Sequence, residues 1–152
     1  MTKIDAFKET MIAGYTCKGE YITVGGDVYE GQPLEKVYVN IPLKTLNRHG
    51  LIAGATGTGK TKSLQVMAEH LSKKGVPVLL MDLKGDLSGI GESGEVKPFI
   101  LERLGKIGLD FQPQAFPTEL LTISEQNGVR MRATISEFGA TLLSRILDLS
   151  EV

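Results

Sequence analysis

The chain has no tryptophan, a single cysteine (Cys17), two histidines and an aromatic fraction of only 6%. A lone cysteine excludes an internal disulfide framework and suits a reducing compartment. His49 and His70 have no partner at metal-ligand spacing, so no metal site is expected beyond the Mg²⁺ that a nucleotide brings. No apolar run nears the length of a membrane span, and the N-terminus, with Lys3, Asp5, Lys8 and Glu9, lacks a secretory core. Charge of one sign is also missing. Seventeen basic residues stand against 18 acidic ones, so no global field announces nucleic acid or an acidic membrane. The expectation is a cytoplasmic protein with no membrane partner, and 152 residues is one domain's worth of chain.

Glycine is not scarce: there are 18, and three of them punctuate Gly54-Ala55-Thr56-Gly57-Thr58-Gly59-Lys60-Thr61. That stretch fits G-x-x-x-x-G-K-[ST], the loop that wraps phosphates in P-loop NTPases. Glycines let the backbone adopt positive φ and bring its N–H groups close to an anion. Lys60 is a point charge able to reach the β- and γ-phosphates, and Thr61 offers a hydroxyl to Mg²⁺. Residues 54–61 together with Lys62 open a helix, whose N-terminal amides and dipole favour phosphate. The nucleotide contacts expected are therefore Gly54, Ala55, Thr56, Gly57, Thr58, Gly59, Lys60, Thr61 and Lys62, with ATP and Mg²⁺ as ligands.

Composition alone would produce such a match in roughly one chain in fifty, so its context decides. Leu51-Ile52-Ala53 enters the loop as a short apolar run, predicted as a strand. Leu64, Met67, Ala68 and Leu71 then recur at helical spacing, and Gly75 follows as a left-handed cap. Val76-Pro77-Val78-Leu79-Leu80-Met81 reads as a strand buried on both faces, with Pro77 near its start. The unit is βαβ. A Rossmann dinucleotide site would also use a glycine-rich turn and an acidic residue near Asp82. It would, however, set Lys60 where the helix packs closely on the strand, and would leave Lys60-Thr61 without a task.

Elsewhere, residues 3–13 read as a helix stopped by Gly14, with Ile4, Phe7 and Met11 on one face. Tyr21-Ile22-Thr23-Val24, a Gly25-Gly26-Asp27 turn, Val28-Tyr29 and Val37-Tyr38-Val39-Asn40-Ile41 predict a small antiparallel sheet or partial barrel ended by Pro42. Tyr15, Tyr21, Tyr29 and Tyr38 read as sheet-face packing in preference to a base-stacking platform. Asp82 stands at the carboxyl end of the second core strand, where α/β sheets place functional groups. Two readings stay open for it: a group facing Mg²⁺, water or a neighbouring subunit, or a polar strand end with a turn at Gly85 and Asp86. The run 78–82 has the form of a Walker B strand, but it follows the P-loop helix immediately and carries Leu83 where many ATPases have glutamate. It is not read as Walker B.

Residues 88–95 read as a surface loop, and Pro98 as the start of a helix ended by Gly108. Leu120-Leu121-Thr122-Ile123 and residues 129–135 are predicted strands joined by a turn at Gln126-Asn127-Gly128. Ser136 is the predicted N-cap of a last helix with Phe138, Leu142, Ile146 and Leu149 on its apolar side. Arg130 and Arg132 share a strand face, expected to be solvated.

Asn47-Arg48-His49-Gly50-Leu51-Ile52-Ala53, running into the glycine loop, with Asp82-Leu83-Lys84-Gly85-Asp86 after it, resembles the HerA-like ATPases. These are relatives of the FtsK-type DNA translocases, and the likeness is greatest to a bacterial branch. Ile41-Pro42-Leu43 and residues 129–149 fit the same branch. The resemblance implies a RecA-like P-loop core, hexameric rings and ATP-driven movement on double-stranded DNA. It makes Lys60 and Thr61 the nucleotide and Mg²⁺ contacts and Asp82 an acidic group near the nucleotide, so Lys60 and Asp82 are the catalytic candidates.

Members of that family also carry a later Walker B strand, a polar sensor and an arginine finger, for which this chain has no convincing candidate. The expectation is thus an α/β fold with an incomplete P-loop core. Residues 1–46 form an N-terminal helix and small β segment, and residues 47–152 the N-terminal part of the NTPase domain of a longer ATPase. Such a piece would bind ATP but hardly hydrolyse it. A nucleotide-gated switch or scaffold and a kinase-type phosphotransferase are the competing functions. The lack of a guanine-reading N-K-x-D favours ATP over GTP.

Overall fold

The computed structural model describes residues 2–148 and is a mixed α/β chain. Contacts divide it into two units, Met1–Pro117 and Thr118–Val152.

The first unit is built on an antiparallel hairpin of β1 (Tyr21–Tyr29) and β2 (Gln32–Pro42). Its turn is Glu30-Gly31, where both residues have positive φ (48° and 82°). That pair of angles is what a two-residue hairpin turn needs to match the twist of its strands. The turn expected at Gly25-Gly26-Asp27 does not form. Those residues lie inside β1, at two register shifts, between Thr23 and Gly25 and between Gly26 and Val28. Glycine within a strand marks a bulge or a close approach as readily as a turn, and here it does both. A Cβ on Gly26 would lie 3.0 Å from the Ile107 side chain. Pro42 ends the strand as expected.

Helix α1 (Lys3–Tyr15) opens with a capping box in which Thr2 and Asp5 satisfy each other's backbone amides. It runs through Gly14 instead of stopping there, because Thr16 takes the C-cap position and bonds back to the Ile12 carbonyl. The helix packs on both strands, with the Phe7 and Tyr29 rings 5.0 Å apart. Helix α2 (Lys60–Lys73) lies against β1 and ends as predicted, with Gly75 at φ 73° and the Val76 amide bonded back to Leu71. Helix α3 (Pro98–Lys106) begins at Pro98 and docks its end on β2. The Lys36 amide donates to the Ile107 carbonyl (3.1 Å) and the Tyr38 hydroxyl to the Gly108 carbonyl (2.8 Å). Tyr29 and Tyr38 thus serve packing and docking. Among the described residues the buried apolar ones are Ile22, Leu34, Val37, Ala68, Leu87 and Phe116, all in this unit.

The two predicted core strands are not strands. Residues 51–53 and 76–81 have no ladder partner among the described residues, and Leu51, Leu79 and Met81 are 89%, 80% and 85% exposed. An apolar run becomes a doubly buried strand only where neighbours pair with its amides and cover both faces. Among the described residues the only long sheet is the hairpin, whose own strands pair with each other.

In the second unit, β3 (Leu121–Thr122) and β4 (Val129–Arg130) pair parallel, so residues 123–128 are a loop and not a hairpin turn. Val129 and Met131 amides donate to Leu120 and Thr122 carbonyls at 2.7 Å. Gly128 is required by space, since a Cβ there would sit 2.6 Å from the Leu120 carbonyl oxygen. The N-cap of α4 (Ile135–Ile146) is Thr134, not Ser136: its hydroxyl meets the Glu137 amide while Glu137 returns to the Thr134 amide. A capping box needs its acid three residues on, which Thr134 has. Gly139, at φ 72° and ψ 158°, interrupts the helix. Phe138, Leu142 and Ile146 are exposed in place of packed, and Leu149 lies outside the described residues.

Because Ile22 is 2% exposed, at the start of β1 opposite Ile41, Ile22→Ala should destabilise the first unit by about 2–5 kcal/mol. Urea unfolding of the two chains measures it. A shift smaller than the error of the midpoint would mean that the hairpin is not the core.

Candidate functional site

The glycine loop lies exposed at the N-terminus of α2. Gly57 and Gly59 have φ of 81° and 94°, the left-handed values that favour glycine, and Gly59 is the N-cap of the helix. Gly54 is held to glycine by contact, since a Cβ there would lie 2.7 Å from the Thr58 hydroxyl. The Ala55 carbonyl gathers the loop. It accepts from the Thr58 hydroxyl (2.8 Å), the Thr58 amide (3.4 Å) and the Lys60 ammonium (2.8 Å). The Ser63 amide makes the first helical bond, to Gly59. The amides of Lys60, Thr61 and Lys62 therefore open the helix with no carbonyl before them to bond, and no side chain caps them. Three free N–H groups, the dipole end and the Lys60 charge converge, which suits an anion. The loop fits a polyphosphate.

Lys60 keeps its ammonium over the loop, bonded to a neutral carbonyl. A phosphate oxygen in its place would give a shorter, charge-assisted bond. The Lys62 ammonium instead donates to the Gln65 side-chain oxygen (2.7 Å), so what Lys62 offers a ligand is its amide.

The segment Asp82-Leu83-Lys84-Gly85-Asp86 folds back on its first residue. One Asp82 carboxylate oxygen accepts from the amides of Lys84 (3.2 Å), Gly85 (2.8 Å) and Asp86 (3.3 Å), and the other from Leu87 (2.9 Å). Gly85, at φ 77°, allows the reversal. Asp82 thus organises a turn, and the carboxylate this turn brings to the glycine loop belongs to Asp86. Thr61 donates its hydroxyl proton to Asp86 Oδ2 at 3.3 Å. Sequence reasoning treated Asp86 as a turn residue only. The signal that could have found it is the second acid of the Asp82-Leu83-Lys84-Gly85-Asp86 run, since an acid whose amides are spent on the first carboxylate is free to point elsewhere.

Gln65 fixes the two segments together. It is buried (7% exposed), its Nε2 donates to the Asp86 carbonyl (3.0 Å), and its oxygen accepts from Lys62. A lysine can only donate and a carbonyl only accept, so both ends of the amide are assigned by their partners.

The four amides hold the Asp82 carboxyl below its ordinary value of 3.8, Leu87 contributing most, against an opposing effect of desolvation. A depressed carboxyl stabilises above its unfolded value and loses that contribution as pH falls through the folded one. The turn should therefore loosen only below pH 3.8. NMR titration should place the Asp82 midpoint under that value, and Asp82→Ala should speed amide exchange at residues 84–87 at neutral pH. Unchanged exchange would show that the carboxylate does not hold the turn.

Among the described residues no helix is long and apolar enough to cross a membrane. No solved structure matches the chain. Among curated proteins it is similar to the DNA import protein CedB of Sulfolobus acidocaldarius, 30% identical over 135 residues. That alignment takes in 84% of this chain and 22% of the relative, so the chain spans about a fifth of its length. The model of the helicase HerA-like C-terminal family matches residues 28–152, which include the glycine loop, Gln65 and the Asp82–Asp86 turn. On that match the chain belongs to the HerA-like family.

Proposed function

We propose that this chain is the ATP-binding portion of a HerA-like, ATP-driven DNA translocase. The observation that carries the reading is the glycine loop. Left-handed glycines at 57 and 59 deliver the unbonded amides of Lys60, Thr61 and Lys62, beside the Lys60 ammonium, to one exposed spot. Family membership and the likeness to a DNA import protein support the assignment to DNA handling.

The reaction is phosphoryl transfer to water, promoted by positioning and by stabilising charge. The amides of residues 60–62 and Lys60 bind the β- and γ-phosphates. The Thr61 hydroxyl would hold Mg²⁺, which would supply positive charge against the charge that develops on the leaving phosphates. Asp82 acts one step back, by shaping the turn that faces Thr61. The apolar residues 51–53 and 76–81 become strands of a RecA-like sheet when further strands pair with them. In this reading the chain is the N-terminal portion of that domain, as in the bacterial branch that it resembles. Its division falls at residues 46/47, and the Walker B carboxylate and arginine finger come from the rest of a cytoplasmic, hexameric protein. The chain alone then binds ATP and hardly turns it over.

Calorimetric titration with Mg-ATP and Mg-GTP tests the reading. Binding of Mg-ATP is expected, and Lys60→Ala should weaken it on the order of 10- to 100-fold, the loss of a charge-assisted bond. The circular dichroism of the variant should be unchanged, since the Lys60 ammonium bonds only its own loop. Equal affinity of Lys60→Ala and the parent chain would defeat the assignment. DNA-stimulated ATP hydrolysis by the hexameric protein separates a translocase from a nucleotide switch or scaffold.

A further inference from the structure

The Thr61 hydroxyl has one proton to donate and two lone pairs to offer. Left to rotate, it can spend the proton on a nearby carbonyl, as Ser63 does on the Gly59 carbonyl one turn back at 3.2 Å. Thr61 does something else: its proton points across to the next loop, at Asp86 Oδ2, 3.3 Å away. The distance is long for an O–H···O bond. The placement, however, is over-determined. Gln65, buried between the two segments, holds the Asp86 backbone (3.0 Å), and the Asp82 carboxylate holds the Asp86 amide (3.3 Å). The Asp86 backbone is therefore pinned at both its N–H and its C=O while its carboxylate stays exposed beside the phosphate loop.

We infer that Asp86 is a positioning residue for Thr61: it accepts a hydrogen bond from the hydroxyl, leaves the oxygen lone pairs free for a Mg²⁺ that a bound nucleotide would bring, and so favours a magnesium-loaded nucleotide over a bare one. The inference rests on the phosphate-loop reading above and goes beyond it. Two electrostatic consequences have opposite signs. With Mg²⁺ present, a carboxylate behind the ligating hydroxyl makes that oxygen a better ligand, as partners behind metal ligands do. Without Mg²⁺, the same negative charge repels the polyphosphate. A residue that merely held the loop would move both affinities the same way.

The experiment is calorimetric titration of the full chain with ATP in excess Mg²⁺ and with ATP in EDTA. It compares the parent with Asp86→Asn, which keeps the side chain's shape and both backbone bonds. The expected result is about 10-fold weaker Mg-ATP binding in Asp86→Asn, with metal-free ATP bound equally well or more tightly. An unchanged ratio between the two arms, or equal weakening in both, overturns the inference. Should Asp86→Asn lose its fold by circular dichroism, Asp86→Glu keeps the charge and replaces it in the same comparison. There the magnesium preference is expected to stay at or above that of a Thr61→Ala chain, and a preference below it overturns the inference. In a folded Asp86→Asn background, Thr61→Ala should cost Mg-ATP binding less than it does in the parent, because the two groups act together. Additive losses also overturn the inference. A parent chain that binds ATP in neither arm refutes the phosphate-loop reading itself, an outcome distinct from any failure confined to Asp86.

Discussion

Helix α2 begins with three amides that nothing among the described residues bonds, and the candidate site follows from that. A helix start is ordinarily capped by a serine, threonine or aspartate one residue before it. Here the position is Gly59 in a left-handed conformation, with no side chain to offer. Exposed to solvent the amides are not costly, since water bonds them. They are instead available, with the dipole of a helix of 14 residues behind them and a lysine at the first position. Compare α1 and α4, where Thr2 and Thr134 close the helix start with capping boxes. The chain caps those two helices tightly and leaves α2 open.

The second constraint is how a turn made of exposed residues keeps its shape. Residues 82–87 have little apolar cover except Leu87, which is buried. The turn is held by one carboxylate accepting four amides, and by Gln65 reaching from the interior of α2 to the Asp86 carbonyl. Two acids four positions apart thus have different tasks set by environment alone. Asp82 is saturated by backbone donors, which lower its pKa. Asp86 has a pinned backbone and a carboxylate directed at Thr61.

Local chemistry was legible in the sequence, and partnership was not. The glycine loop, the span of α2 with its Gly75 cap, the start of α3 at Pro98 and the end of β2 at Pro42 all depend on the residues at those positions and their near neighbours. The turn at Glu30-Gly31 was missed because glutamate is a poor marker for positive φ, and Gly25-Gly26-Asp27 looked better. What crowds Gly26 is Ile107, far along the chain and invisible to any local pattern. Residues 76–81 were read as a strand from hydrophobicity, yet a strand is defined by what pairs with it. The parallel pairing of β3 and β4 escaped for the same reason: Asn127-Gly128 suggests a reversal, while Gly128 serves instead to clear the Leu120 carbonyl. Within the site, the residue types are readable and the direction of each side chain is not: the sequence points to Asp82, while the acid bonded to Thr61 is Asp86.

The geometry also says where the site takes its rigidity. In an α/β nucleotide site the strands before and after the phosphate loop usually fix it from below. Here residues 51–53 and 76–81 have no strand partner among the described residues, and all but Val76 and Leu80 are exposed, so no sheet holds the loop from below. The loop is instead tied to itself through the Ala55 carbonyl and to the acidic turn through Gln65 and Thr61. Both ties end on α2, which rests on β1. The helix is consequently the common frame for the open amides of residues 60–62 and the Asp86 carboxylate beside them. A motion of α2 against the hairpin would carry both together, whereas a motion of the turn alone would have to break the buried Gln65 bond first.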